Sequence, residues 1–153
     1  MDDLRGSSAR IEPTRQLLRV SHRGAEADAV VVGGKAPQRL VAVGSRSHGS
    51  AETGEWLKRY EVERFVSRGS SLKFCLVAEG EADVYPRLGR TMEWDTAAGD
   101  AVLRAAGGMV TTLDGVPLRY GKRRQASDVD FANPHFVAFA DPLLATKLAK
   151  DRV

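Results

Sequence analysis

The apolar positions fall into short blocks whose spacing switches between the period of a strand and that of a helix. Leu40-Val41-Ala42-Val43 is a continuous apolar run of strand length, closed by Gly44 and the polar Ser45-Arg46-Ser47-His48. Residues 51–60 place Trp56, Leu57 and Tyr60 on one face and predict a helix. Residues 62–66 alternate apolar and charged and predict a strand. Residues 70–79 predict a second helix, with Leu72, Cys75 and Leu76 as its apolar stripe and Gly80 as its cap. Residues 83–88 predict a strand in which Pro86 argues for a sheet edge or a strand end.

The alternation continues to the C-terminus. Residues 96–106 predict an alanine-rich helix, stopped by Gly107-Gly108, whose small residues allow close approach to a sheet. Residues 109–113 and 116–120 flank Asp114-Gly115, a hairpin signal. Residues 136–139 form a last strand and 142–150 a terminal helix. Upstream the pattern weakens: residues 17–20 and 29–32 are short apolar runs, with Val30-Val31-Val32 strand-like, and 33–37 carry turn chemistry. Residues 1–10 are small and polar, the composition of a disordered tail. Strands alternating with helices predict an α/β domain of layered sheet and helices over 38–153, preceded by a segment, 1–37, that the pattern does not place.

Composition narrows the class. A chain of 153 residues, 42% apolar, can bury one ordinary core. Its 23 basic residues against 20 acidic ones, scattered along the chain, give no electrostatic footprint for nucleic acid. The one basic run, Lys122-Arg123-Arg124, reads most simply as a solvated loop. A single cysteine, Cys75, excludes an internal disulfide, fits a reducing compartment and reads as a core thiol. The acidic start Met1-Asp2-Asp3 lacks the apolar core of a signal peptide, and no apolar run reaches membrane-spanning length. The expectation is a soluble intracellular protein.

Two blocks carry candidate chemistry. In Gly69-Ser70-Ser71-Leu72-Lys73, glycine permits a sharp turn and a serine sits where an N-cap belongs. Lys73 falls in the first helical turn, where the helix dipole disfavours a cation. An anion between the two would resolve that conflict; a plain serine cap with a solvated lysine is the alternative. In Glu93-Trp94-Asp95-Thr96, Asp95 sits just before the alanine-rich helix and could cap it, hold a divalent cation, or both. Trp94 reads as a packing residue that fixes the turn. His48 follows a strand end, where open α/β sheets place ligands, and Arg87 is the best-placed guanidinium for a second phosphate. Surface roles are the plain alternatives for both.

Ser45-Arg46-Ser47-His48, residues 69–80 from Gly-Ser-Ser-Leu-Lys onward, Asp83-Val84-Tyr85-Pro86-Arg87 and Trp94-Asp95-Thr96-Ala97-Ala98-Gly99 occur in an order that resembles a known family. It is that of the CysQ-type 3'(2'),5'-bisphosphate nucleotidases of the inositol monophosphatase superfamily. Asn133-Pro134-His135-Phe136 resembles that family's C-terminal asparagine-proline turn, so the resemblance spans about residues 39 to 140. It implies the C-terminal half of the inositol monophosphatase (sugar phosphatase) fold and a magnesium-dependent phosphatase. Such an enzyme converts adenosine 3',5'-bisphosphate to AMP and phosphate. By the same resemblance Asp95 is a catalytic, metal-binding carboxylate that also touches substrate, and His48, Ser70, Lys73 and Arg87 bind the nucleotide. The implied location is the cytoplasm, extending to the inner face of the cell membrane.

The family's N-terminal half supplies a metal-binding glutamate and an aspartate-proline-(isoleucine or leucine)-aspartate-glycine-threonine loop, and no such loop occurs in this chain. Asp141-Pro142-Leu143-Leu144 echoes only its start. Metal-assisted phosphate hydrolysis needs several carboxylates around its ions, and Asp95 alone does not supply them. Three readings follow. The chain is the C-terminal part of a bisphosphate nucleotidase, from a truncated gene or paired with a separate chain that supplies the missing half. It is instead a catalytically inactive nucleotide-binding pseudoenzyme. Or it is an unrelated α/β domain. Apolar surface left by a missing half would also promote self-association.

Overall fold

The computed structural model describes residues 16–22, 25–31, 39–45 and 50–150. Residues 1–15 and His48 lie outside the described residues, and with them the expectations of a disordered tail and of a histidine in the pocket. Strands β1 (Gln16–His22) and β2 (Ala25–Val31) pair antiparallel as a separate two-stranded sheet.

The main sheet has five strands. These are β3 (Leu40–Gly44), β4 (Val62–Ser67), β5 (Val84–Arg87), β7 (Met109–Thr112) and β9 (Phe136–Phe139), in the order β4-β3-β5-β9-β7. The first three run parallel, whereas β9 runs antiparallel to both β5 and β7. Alternate residues of a strand face opposite sides, and here both sides are covered. Val43, Tyr85, Phe136 and Ala138 pack with helices α2 (Leu72–Ala78) and α3 (Glu93–Ala105) through Phe74, Val77 and Leu103. Ala42, Val84, Val137 and Phe139 pack on the other side, with Trp56 of α1 (Ala51–Leu57) and Leu144 of α4 (Pro142–Lys150). The layered α/β expectation is met. A short pair, β6 (Thr91–Met92) with β8 (Ala132–Asn133), ties the start of α3 to the loop before β9.

Several local expectations change. Pro86 lies inside the sheet, not at its edge: β5 is the central strand. Pairing between β3 and β5 is confined to Ala42 and Val84, so beyond that point no ladder on the β3 side is broken by a proline. The buried face of α2 is Lys73, Phe74, Val77 and Ala78, while Leu72 is 59% exposed and Cys75 only half-buried. The helix turns its Phe74 side down because that ring fills the gap against Tyr85, Phe136 and α3. The Asp114-Gly115 turn forms, with Thr112 N–H donating to Val116 O at 2.8 Å. Its return is a single bridge from Thr111 to Pro117 rather than a strand, because proline offers no N–H to extend the ladder.

Both site-bearing helices stop in the same way. Gly80 (φ 74°) and Gly107 (φ 91°) adopt the left-handed conformation. The N–H of Glu81 reaches Leu76 O and that of Gly108 reaches Leu103 O, each at 2.9 Å, which closes the C-terminal carbonyls. The α2–α3 contact is set by Gly99. A methyl at that position would overlap the Phe74 ring, with Cγ 2.7 Å and Cβ 2.9 Å away, and Phe74 is 1% exposed with no room to yield. Overpacking of this kind costs about 1–3 kcal/mol. Gly99→Ala is therefore expected to destabilise the chain by about that amount in urea unfolding; an unchanged midpoint would mean that the helices are free to separate.

Candidate functional site

A cleft of about 450 Å³ opens where the sheet hands its strands to the helices. Ser45 follows the C-terminal end of β3, Arg87 ends β5, and Ser70, Ser71 and Lys73 lie at the start of α2. Trp94, Asp95 and Thr96 come from the first turn of α3. Ligands of open α/β sheets sit in this position. Ser70, Lys73, Arg87 and Asp95, all singled out in the sequence, line this one cavity together with Tyr85, Arg90 and Thr91.

The backbone before α2 is bent at Ser70 rather than at Gly69. Ser70 has φ 53°, a left-handed conformation that is uncommon outside glycine. The bend turns its carbonyl onto the Lys73 ammonium at 2.8 Å, and Arg68 O accepts from the same ammonium at 3.3 Å. Ser71 is the N-cap residue, but its hydroxyl makes no capping bond. Lys73 is not the solvated lysine of the plain reading: it is 4% exposed, with its ammonium 5.3 Å from the centre of the Tyr85 ring. Burial, and then the positive charge of Arg87, lower its pKa. An ammonium has three donors, and among the described residues two carbonyls accept from it, which leaves one for an anion in the cleft. Tyr85 forms the floor, edge-on to Phe74 at 5.3 Å and to Phe136 at 5.7 Å. Burial pushes its pKa up to about 12 against the lowering influence of Arg87, so it stays a neutral phenol at neutral pH.

Asp95 lies inside α3 as its third residue, not ahead of the helix. Its Oδ2 accepts from the N–H of Met92 at 2.8 Å, so the capping role and exposure to the cleft coexist. Trp94 does not pack the turn from within. It is 68% exposed and rests against Phe131, with ring centres 6.3 Å apart. The anchor is Glu93, which the sequence reading passed over. Its carboxylate accepts from the N–H groups of Gly121 (2.7 Å) and Lys122 (2.9 Å) and pairs with the Lys122 ammonium at 2.7 Å. Lys122 also donates to Asn133 Oδ1 at 3.0 Å, and Asn133 Nδ2 donates to Thr96 Oγ1 at 3.0 Å and Thr91 Oγ1 at 3.2 Å. Lys122 is thus a structural cation rather than part of a solvated run. Its position directly after Tyr120-Gly121 hides the role, because the partner is 29 residues away.

Among the described residues no group of three His, Cys, Asp or Glu is placed to hold a metal ion. Asp95 is the sole carboxylate among the described cleft-lining residues, beside Lys73, Arg87 and Arg90. A magnesium ion demands near-octahedral oxygen ligation, so these residues alone do not fit a metal centre. Among the described residues no helix is long and apolar enough to cross a membrane.

Comparison with known proteins matches residues 12–152 to the inositol monophosphatase family. The chain belongs to this family. The match begins well before residue 39, where the sequence resemblance starts. The chain is 52% identical over 92 residues to the 3'(2'),5'-bisphosphate nucleotidase CysQ of Escherichia coli K12, covering 60% of this chain and 35% of that protein. An uncharacterised protein in the pss 5' region of Rhizobium leguminosarum bv. phaseoli is 64% identical over 84 residues, which is 55% of this chain and 88% of that protein. The crystal structure of CysQ from Bacteroides thetaiotaomicron superposes with a TM-score of 0.57 at 44% identity, over 73% of this chain and 41% of that one. The chain therefore spans about a third of the length of the E. coli relative it matches.

The Glu93 anchor has a pH signature. Burial would raise its pKa, but the bonds from the Lys122 ammonium and from the N–H groups of Gly121 and Lys122 outweigh this and hold it at about 2, below the ordinary 4.5. A depressed carboxylate contributes stability that is complete above pH 4.5 and lost as pH falls toward 2. The melting-temperature gap between the parent and Glu93→Gln should be constant above pH 5 and shrink steadily below pH 4.5. A gap independent of pH would contradict the anchor.

Proposed function

We propose that this chain is the nucleotide-binding part of a bisphosphate nucleotidase whose substrate is adenosine 3',5'-bisphosphate, with AMP and phosphate as products. The observation that carries the reading is the convergence of Ser70, Lys73, Arg87 and Asp95, from two helices and a strand, on one cleft. Lys73 supplies a positive charge already fixed by two carbonyls, so binding a phosphate there costs little side-chain ordering. Arg87 adds a planar guanidinium suited to phosphate oxygens. Ser70, on the same lining, brings a hydroxyl able to donate to a ligand, and Asp95 keeps the oxygen not used in capping. His48 belongs to the same binding set by resemblance. The likeness to the E. coli nucleotidase CysQ supports the substrate class.

Catalysis in this proposal needs ligands beyond those in the cleft. Asp95 would hold a magnesium ion only together with carboxylates that a separate chain supplies. A second reading, a nucleotide-binding module without catalysis, is favoured by one observation: a single carboxylate faces three cations among the cleft-lining residues. The proposed site of action is the cytoplasm.

Two experiments test these readings. In calorimetry, the chain should bind adenosine 3',5'-bisphosphate and AMP, and Lys73→Ala should weaken both by about tenfold or more, as expected for a charge-assisted contact. Unchanged affinity would overturn the binding site. In a phosphate-release assay with magnesium, the chain alone should be inactive. Activity on adding the N-terminal part of a CysQ relative would support the split enzyme, and continued silence the binding module. Strong release by the chain alone, lost in Asp95→Asn, would show that its own ligands suffice.

A further inference from the structure

Among the described residues the cleft lining carries one more cation than a single phosphate calls for. Lys73 and Arg87 line the same cleft, and after burial the charge of Arg87 is the second influence that lowers the pKa of Lys73. Together they offer about two positive charges, matched to one phosphate monoester of roughly −1.5 to −2. Arg90 is the third cation on the same lining. It lies three residues beyond Arg87 in the tight turn around Gly89, and Arg87 Nη2 donates to its carbonyl at 3.4 Å. Its guanidinium is 60% exposed and pairs with Asp128 at 2.8 Å, whose side chain is 36% exposed. Exposed pairs of this kind are weak, so a phosphate with more negative charge than one carboxylate competes well for the guanidinium.

We propose that Arg90 anchors the second phosphate of a bisphosphate nucleotide, the one that Lys73 and Arg87 do not hold, and that it reaches this phosphate by leaving Asp128. The inference rests on the nucleotide reading above and deepens it: Arg90 sets the preference for a bisphosphate over a monophosphate. Asp128 acts as a stand-in anion that keeps the guanidinium at the rim while the cleft is empty. The pairing therefore lowers affinity rather than raising it.

That sign makes the test sharp. Calorimetry on the full chain should show Arg90→Gln weakening adenosine 3',5'-bisphosphate by about tenfold while changing AMP less than twofold. Asp128→Asn should tighten the bisphosphate by about two- to fivefold, the factor released by loss of an exposed pair, and leave AMP unchanged. Equal effects of Arg90→Gln on both ligands, or none on either, would overturn the proposal. So would weaker bisphosphate binding in Asp128→Asn, which would mean that the pair merely holds the loop in place. Retained melting temperatures in both variants separate these outcomes from misfolding. If the parent chain binds neither nucleotide, the nucleotide reading itself fails; if it binds both and only the Arg90 and Asp128 results disagree, that reading stands without this inference.

Discussion

The arrangement of the cleft depends on one buried carboxylate. Glu93 gathers two backbone N–H groups and the Lys122 ammonium, and so binds the start of α3 to the loop that follows the β7 hairpin. A carboxylate this enclosed is costly to bury unless its oxygens are satisfied, and here three donors satisfy them. Trp94 and Asp95 follow directly in the chain, so their direction is inherited from this anchor. Asn133 extends it to Thr96 and Thr91, which line the cleft beside Asp95. At the helix start the N–H of Met92 donates to Asp95 Oδ2 and fixes the carboxylate.

The opposite wall is built on packing. Phe74, Tyr85 and Phe136 form an aromatic cluster under the first turn of α2. Gly99 lets α3 settle against Phe74, which sets the spacing between the two helix starts. Lys73 crosses this apolar floor and ends among carbonyls, so its charge is both desolvated and fixed in place. Among the described residues this buried cation has no carboxylate partner and the cleft lining is cationic, a setting suited to an anionic ligand.

The layered architecture was legible because strand runs such as residues 40–43 and 136–139 are short, apolar and bounded by polar turns. Four of the five predicted site residues meet at one cleft because each lies at a strand end or a helix start, which local signals mark. What escaped the sequence reading involves long separations or a choice of helix face. The partnership of Glu93 with Lys122 spans 29 residues and has no local trace. On α2, the stripe of Leu72, Cys75 and Leu76 is as apolar as the true one. Only the sheet beneath decides in favour of Phe74, and with it buries Lys73. For Pro86 the sheet-edge alternative fails because β5 is central, while the strand-end alternative holds: it is the last residue but one of β5, where β3 no longer pairs.

The proposed nucleotide site is one cleft, between the starts of α2 and α3 and the end of β5. Amide chemical-shift mapping of the 153-residue chain during titration with adenosine 3',5'-bisphosphate tests it most directly. Binding there should give saturable shifts concentrated at residues 70–74 and 87–99, with little change in α4. Shifts confined to other surfaces, or none at millimolar ligand, would contradict it.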